Sequence, residues 1–442
     1  MLGIVVSRAD SASVHIGEQL LDLEAWDRDE DDERTVYRTD GAELREFDRL
    51  HLDMERPADA FGEIDLLVFA SRHSGETGPL LTAHHTGNFG PADHGGEANE
   101  LAAAAPNAHA AVLEALDRHA PDGYETGMEC THHGPSRVGV PSLFVELGSD
   151  EPQWADPAGA RAVARAILDL RGVAPHRGPD HGDRRRQLVG FGGGHYTPRF
   201  ERVVRETGWA MGHIAADWGI DAVGEFDGEG RRVLVEAFER SEAAYALVDG
   251  DRPEVVDVVE EAGYRAVSET WVRETDAVPL GFVEAAEEVT TVDEGLRFGD
   301  RATGFDGEFA VLDLPAELLE DACGIDRERC RALLRSNTLA FVTTQGGSRP
   351  SGTVLVAEER DRSTLIEGLL SVLDERYDSV QRDGDTVVAR ERRFDPGKAK
   401  TLGVPEGPAF GRLADGETVE VDGRTIPPEQ VRSERKVQFP LE

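Results

Sequence analysis

The sequence predicts a layered α/β domain with a mixed sheet, followed by a smaller α+β module. Three observations carry this. Five strand-like apolar runs alternate with helix-period segments over about the first 210 residues, the pattern of a sheet covered by helices on both faces. A polar stretch with Glu287-Glu288 and Asp293-Glu294 then reads as a linker, dividing the chain into domains 1–289 and 295–442. Beyond it, short strands gather around one long helix pattern.

The elements follow in order. Leu2-Gly3-Ile4-Val5-Val6-Ser7 reads as a buried strand, and Asp10-Ser11-Ala12-Ser13 offers cap residues for a helix carrying Ile16, Leu20 and Leu21. The acidic run from Asp27 to Glu33 reads as a solvated loop. Ile64 to Ala70 supplies the next strand and delivers Ser71-Arg72-His73-Ser74 at its C-terminal end, where open α/β sheets build their sites. Leu80 to Ala83 is a short strand ending at His84-His85. An Ala-rich helix is expected from about Glu97 to Ala104, stopped by Pro106, and Asn107 caps a second helix with Val112, Leu113 and Leu116 inward.

Leu143 to Leu147 is a strand with Glu146 embedded in it, and Asp156-Pro157 opens a helix in the N-cap and N1 manner. Gly172 to Arg186 reads as a mobile loop. Gln187 to Phe191 is a strand, Gly192-Gly193-Gly194-His195-Tyr196 a tight loop and Thr197-Pro198 a helix start. Trp209 to Trp218 reads as a helix that sets His213 and Asp217 on one side. In the second module, strands are expected at Phe309 to Leu312, Leu339 to Thr344, Thr353 to Ala357 and Thr386 to Arg390, with a helix from about Ser363 to Tyr377.

Composition narrows the function classes. The formal net charge is −40, from 87 acidic against 47 basic residues, and only Lys398, Lys400 and Lys436 are lysines. That bias resembles proteins of salt-loving organisms. At about 1 M salt the Debye length falls to roughly 3 Å, so an acidic surface does not exclude an RNA substrate. Three cysteines, Cys130, Cys323 and Cys330, form neither a disulfide framework nor a Cys-x-x-Cys zinc motif. No run approaches about 18 uninterrupted apolar residues, so no membrane partner is expected and the location is read as cytoplasmic. The protein is expected to be a monomer.

All fourteen histidines lie between His15 and His213. They cluster in Gly- and Thr-rich segments, as suits one assembled site for acid/base work or metal ligation. Gly190-x-Gly192-x-x-His195 imitates a dinucleotide fingerprint, but His195 replaces the third glycine, which argues against a nicotinamide cofactor. Such a turn still offers backbone amides to an anion. Arg184-Arg185-Arg186 is the strongest local phosphate-binding candidate, with a solvated loop as the plainer reading.

Four segments hold the chemistry: Ser71 to Gly78 with Leu80 to Gly90; Gly127-Met128-Glu129-Cys130-Thr131-His132-His133-Gly134-Pro135; Val145 to Ser149; and Gly190 to Pro198, followed by Gly212-His213. Together they resemble the archaeal and plant type of D-aminoacyl-tRNA deacylase, over roughly residues 1 to 285. The resemblance implies a three-layer phosphorylase/hydrolase-like domain that cleaves the ester of D-aminoacyl-tRNA with zinc (Zn2+). On that reading His84, His132, His133, His195 and Glu129 are catalytic. His84, His85, His132 and Glu146 would ligate the metal. Ser71, Arg72, His73, Asn88, Gly193, Gly194, Thr197 and His213 would hold substrate, and Glu76 is a secondary candidate.

The residue types fit ester hydrolysis, which needs an activated water, donors for an oxyanion and a proton for the leaving ribose oxygen. A histidine pair with a carboxylate is zinc chemistry, yet no His-Glu-x-x-His spacing occurs, and metal-free acid/base catalysis fits the same set. A zinc-dependent amidohydrolase or a nucleoside-binding phosphorylase is the alternative. Cys130 reads as a packing thiol. The second module has no histidine and reads as an accessory, either contacting tRNA or purely structural.

Overall fold

A computed structural model describes residues 1–31 and 34–441, which fall into two compact units, Met1–Asp276 and Ala277–Glu442. The first unit is α/β. Its larger sheet has eight strands in the order Asp27–Asp31, Arg34–Thr39, Ala42–Phe47, Leu2–Ser7, Leu66–Arg72, Ser142–Gly148, Leu80–His84 and Glu125–Met128. The sheet is mixed, as expected. Leu2–Ser7 runs parallel to both of its neighbours, whereas Leu80–His84 is antiparallel to Ser142–Gly148.

Leu2–Ser7 is buried along its whole length, as an apolar run covered on both faces should be. The helix Ser11–Leu23 follows because Asp10 caps it: Oδ1 accepts from the Ala12 and Ser13 amides at 3.0 and 3.3 Å. The other oxygen of Asp10 accepts from the Arg72 amide at 3.0 Å. One carboxylate thus fixes both the helix start and the end of the strand that carries Ser71, Arg72 and His73.

Several expectations are corrected. The acidic run is an edge strand, Asp27–Asp31, paired antiparallel with Arg34–Thr39; Asp32 and Glu33 lie outside the described residues. Charge is tolerated there because an edge needs no burial and gains protection from unwanted pairing. Residues 97–104 are not helical: Leu101 bridges Gly87 and Ala104 bridges Ser142, so small side chains serve close backbone packing and override helix propensity. Pro106 opens the next helix, Pro106–His119, at its first position rather than ending one. Residues 179–185 contain a short hairpin, Pro179–His181 with Arg184–Arg185.

The largest correction concerns Ala210–Ala215, which is a fully buried strand and not a helix. It belongs to a second, wholly parallel sheet ordered Ala210–Ala215, Gln187–Gly192, Tyr245–Asp249, Arg265–Val267. Short apolar runs do not separate strand from helix by period alone. Helices Gly228–Ser241 and Pro253–Glu261 pack here through Val233, Leu234, Phe238, Val255 and Val259 against Val189 and Phe191.

The second unit is α+β, with an antiparallel sheet ordered Leu296–Phe298, Ala340–Thr344, Arg349–Val356, Ala310–Asp313 and a three-stranded one from Ser379–Asp383, Thr386–Phe394 and Arg432–Pro440. Helices Ala316–Ile325, Arg327–Asn337 and Asp361–Leu373 contribute to its core, which includes Cys323 and Cys330. Among the described residues no helix is long and apolar enough to cross a membrane.

Candidate active site

Strand ends of the larger sheet and the loop after Gln187–Gly192 meet around a cavity of about 530 Å³. Leu66–Arg72 brings Ser71, Arg72 and the following His73; Leu80–His84 ends on His84; Ser142–Gly148 carries Glu146. The segment after Glu125–Met128 supplies Glu129, His132 and His133, and the Cys130 amide donates to the His195 carbonyl at 2.9 Å, which docks the glycine loop against it. Gly192 is required for that loop. It has φ +100° and a Cβ would stand 2.0 Å from the Asp249 carbonyl oxygen.

Glu129 is the centre. His195 Nε2 is 2.8 Å and His132 Nε2 3.7 Å from one oxygen, and His73 Nε2 is 3.7 Å from the other. His84 Nε2 is 3.6 Å from Glu146 Oε1. The rings pack on one another, with centroids 4.2 Å apart for His84 and His132 and 4.7 Å for His132 and His195.

Backbone carbonyls set the orientation of three of these rings. Nδ1 of His84 donates to the His85 carbonyl at 2.9 Å, Nδ1 of His132 to that of Cys130 at 2.9 Å and Nδ1 of His133 to that of Gly134 at 2.8 Å. In His132 and His133, which burial keeps neutral, a proton held at Nδ1 leaves Nε2 as a bare lone pair, the arrangement that ligating imidazoles use.

The polar groups at the centre are not satisfied by protein. Both oxygens of Glu129 and Nε2 of His84 are buried without a hydrogen-bond partner, His195 being close but off the hydrogen-bonding direction. Orphaned buried donors and acceptors cost free energy unless something else meets them. Among the described residues, His84 with His132 and His133, His73 with Glu129 and His195, and His84 with Glu129 and Glu146 each place their ligand atoms within 4.8 Å of one another. Imidazole nitrogen and carboxylate oxygen in close range are donors that suit zinc.

The two carboxylates are driven apart. Burial favours neutral Glu129, but His195, His84, His132 and His73 outweigh it and hold the carboxyl well below its usual range. Burial pushes Glu146 up, against the pull of His84. Burial would lower His84, yet Glu146 and Glu129 raise it, whereas burial followed by the charge of His84 holds His132 and His133 well down. Separated carboxyl affinities are how a site obtains a base and an acid from one residue type. Cys130 is pushed up to about 12 by burial and by Glu129, so it stays a thiol and is no nucleophile.

Comparison with known proteins bears on this geometry. A family model described as D-aminoacyl-tRNA deacylase matches residues 60–267. The D-aminoacyl-tRNA deacylase of Haloarcula marismortui is 54% identical over the full length of both chains. That of Natronomonas pharaonis is 52% identical over 99% of this chain and all of its own. The chain belongs to the D-aminoacyl-tRNA deacylase family. A D-aminoacyl-tRNA deacylase from Methanosphaerula palustris is 34% identical over 97% of this chain and 96% of its own. Among solved structures, a crystal structure of a conserved protein of unknown function is 29% identical, with a TM-score of 0.55 over 62% of this chain and 98% of that one.

Not every candidate of the deacylase reading reaches the cavity. Ser71, Arg72, His73, Asn88, Glu129, His132, His133, Glu146 and His195 line it, and His84 stands against Glu146 behind that lining. His85 points the other way because adjacent residues of a strand alternate. Its Nδ1 donates to the Gly212 carbonyl at 3.1 Å, beside His109 and His213. His213 is fully buried, donating from Nε2 to the Ala102 carbonyl and accepting at Nδ1 from the Thr131 hydroxyl. Asp217 pairs with Arg252 at 2.7 Å instead of with His213. Thr197 is buried against the Met128 carbonyl, Gly193 accepts from the Asp217 amide, Gly194 continues the loop, and Glu76 is exposed outside the lining. Arg185 pairs with Glu242 and Arg186 with Asp180, both at 2.9 Å, so two of the three arginines of that run already hold carboxylates.

Asp10, His51, Asp93, His94 and Trp218 also line the cavity, and Tyr196 donates to His73 Nε2 at 3.0 Å. Sequence reasoning assigned none of them a place in the site. His51 stands alone without the Gly and Thr neighbours of the other clusters; burial lowers it to about 3, so it is neutral. Asp10 was legible only as a helix cap.

Proposed function

We propose that the Glu129-centred cavity hydrolyses the ester joining a D-amino acid to the 3′ end of tRNA, releasing free amino acid and tRNA. The observation that carries this is a buried Glu129 whose oxygens lack hydrogen-bond partners while three imidazole Nε2 atoms face them. Glu129 is the group that accepts a proton from the attacking water as it adds to the ester carbonyl. Glu146, raised by burial, is matched to returning a proton to the ribose oxygen when the C–O bond breaks. Arg72 on the wall supplies a positive charge for the oxyanion, with Ser71, His73 and Asn88 beside it.

A divalent ion such as Zn2+ would fit the donors of His84, His132 and His133, which leaves Glu129 and Glu146 for proton transfer, and when bound it would supply a Lewis acid and an acidified water. Discrimination against L-aminoacyl esters belongs to the cavity walls, since the carbonyl is the same in both enantiomers. The first unit is proposed as a three-layer phosphorylase/hydrolase-like domain with the second as its accessory. The enzyme is proposed to be a cytoplasmic monomer.

Substrate class separates this from its alternative. Offered D-tyrosyl-tRNA, a free nucleoside with phosphate and an N-acyl amide at molar KCl, the protein should turn over the first alone. Chelator should remove that activity and zinc restore it. Phosphorolysis of the nucleoside or cleavage of the amide, with the ester untouched, would move the alternative to first place.

A further inference from the structure

At the mouth of the cavity stands Trp218, 51% exposed, whereas Trp209 and Trp271 are fully buried. A large exposed indole on a cavity rim is a stacking surface rather than a packing residue. The chain on either side of it is anchored. The Asp217 amide donates to the Gly193 carbonyl at 2.9 Å, the Asp217 carboxylate pairs with Arg252, and Ile220 is buried one turn on.

Asp93 and His94 line the same cavity, and both are exposed. Their loop is pinned to the rest of the site: Asn88 Nδ2 donates to the Gly95 and Glu97 carbonyls at 2.9 and 3.1 Å, and the Gly134 amide donates to the His94 carbonyl at 3.0 Å. Among the described residues, the side chains of Trp218, Asp93 and His94 make no hydrogen bond or ion pair. An exposed π-face, an imidazole and a carboxylate lining one cavity are the parts that recognise a nucleobase bearing an exocyclic amine: two rings to stack on and an acceptor for the N–H.

We infer that Trp218, Asp93 and His94 form the subsite for the terminal adenine base of the tRNA acceptor end. This rests on the ester-hydrolase reading, because an ester carried on the last ribose and held at Glu129 leaves the base of that same nucleotide at the cavity mouth. Asp93 accepts from the 6-amino group of adenine. In that same pose guanine and uracil would turn a carbonyl oxygen toward the carboxylate, which repels it.

The test uses the full chain in molar KCl, with AMP and GMP as probes and tryptophan fluorescence as readout. AMP should quench emission saturably, Trp218→Ala should abolish that quenching, and Asp93→Ala should bring AMP down to the affinity of GMP, at least tenfold weaker. With D-tyrosyl-tRNA, Trp218→Ala should raise KM about tenfold or more, and Trp218→Phe, which keeps a π-face, should recover most of it. Equal quenching of wild type and Trp218→Ala, equal response to AMP and GMP, or a loss confined to kcat overturns the subsite. AMP quenching through Trp218 with no cleavage of D-tyrosyl-tRNA would keep the subsite and remove the proposed function, so the two failures are distinguishable.

Discussion

Glu129→Gln is expected to lower kcat for D-aminoacyl-tRNA hydrolysis by about three orders of magnitude, the range of a lost general base. Gln keeps the shape of the side chain but removes the charge that His195, His84, His132 and His73 stabilise. The fold should survive, since the amide replaces a carboxylate that no protein donor satisfies. The loss should fall on kcat, with KM near wild type, and the thermal midpoint should move by no more than a few degrees. Steady-state kinetics beside a melting curve checks both. A variant within tenfold of wild-type kcat would mean that the reacting water is handled elsewhere.

The second large effect is acid lability. Burial holds His109 and His213 at about 4, against an ordinary 6.5. Each is neutral in the fold, His109 donating to the Ala83 carbonyl at 3.0 Å and His213 spanning the Ala102 carbonyl and the Thr131 hydroxyl. Between pH 6.5 and 4 the unfolded chain therefore binds protons that the folded chain refuses, so stability rises with pH across that window. The two histidines cost nothing above pH 6.5, and the penalty grows as pH falls until it is complete below 4. With shifts of this size, each group costs about 3 kcal/mol at the acid end. Denaturant midpoints at pH 7, 5.5 and 4.5 in molar KCl should fall steeply, and His213→Gln should shed about one proton from the dependence. A flat profile over that range, or a variant with the wild-type slope, would contradict it.

The residues of the candidate site were more legible in the sequence than the elements around them. Histidines crowded into glycine-bearing segments were legible because turns at strand ends are where sites are built. His84, His132, His195, Glu129 and Glu146 do meet. What composition does not encode is direction: His84 and His85 are adjacent in sequence, yet strand alternation sends one to Glu146 and the other to His109 and His213.

The misread elements share a cause. Residues 97–104 are rich in alanine and Ala210–Ala215 is a short apolar run, and in both the outcome was decided by partners distant in sequence. Ala104 pairs with Ser142, and Ala210–Ala215 with Gln187–Gly192. The edge hairpin at Asp27–Asp31 escaped notice because an edge strand carries charge without penalty. Trp218 appeared in the sequence only as the end of an expected helix, since nothing in that segment tells a rim tryptophan from a packed one.

The measurement that tests the central claim most directly is the initial rate of tyrosine release from D-tyrosyl-tRNA and L-tyrosyl-tRNA in parallel, at molar KCl where the protein is folded. The account predicts release from the D ester at least a hundredfold faster than from the L ester. Equal rates would contradict a site whose walls read chirality, and failure to cleave either ester would contradict the hydrolase itself.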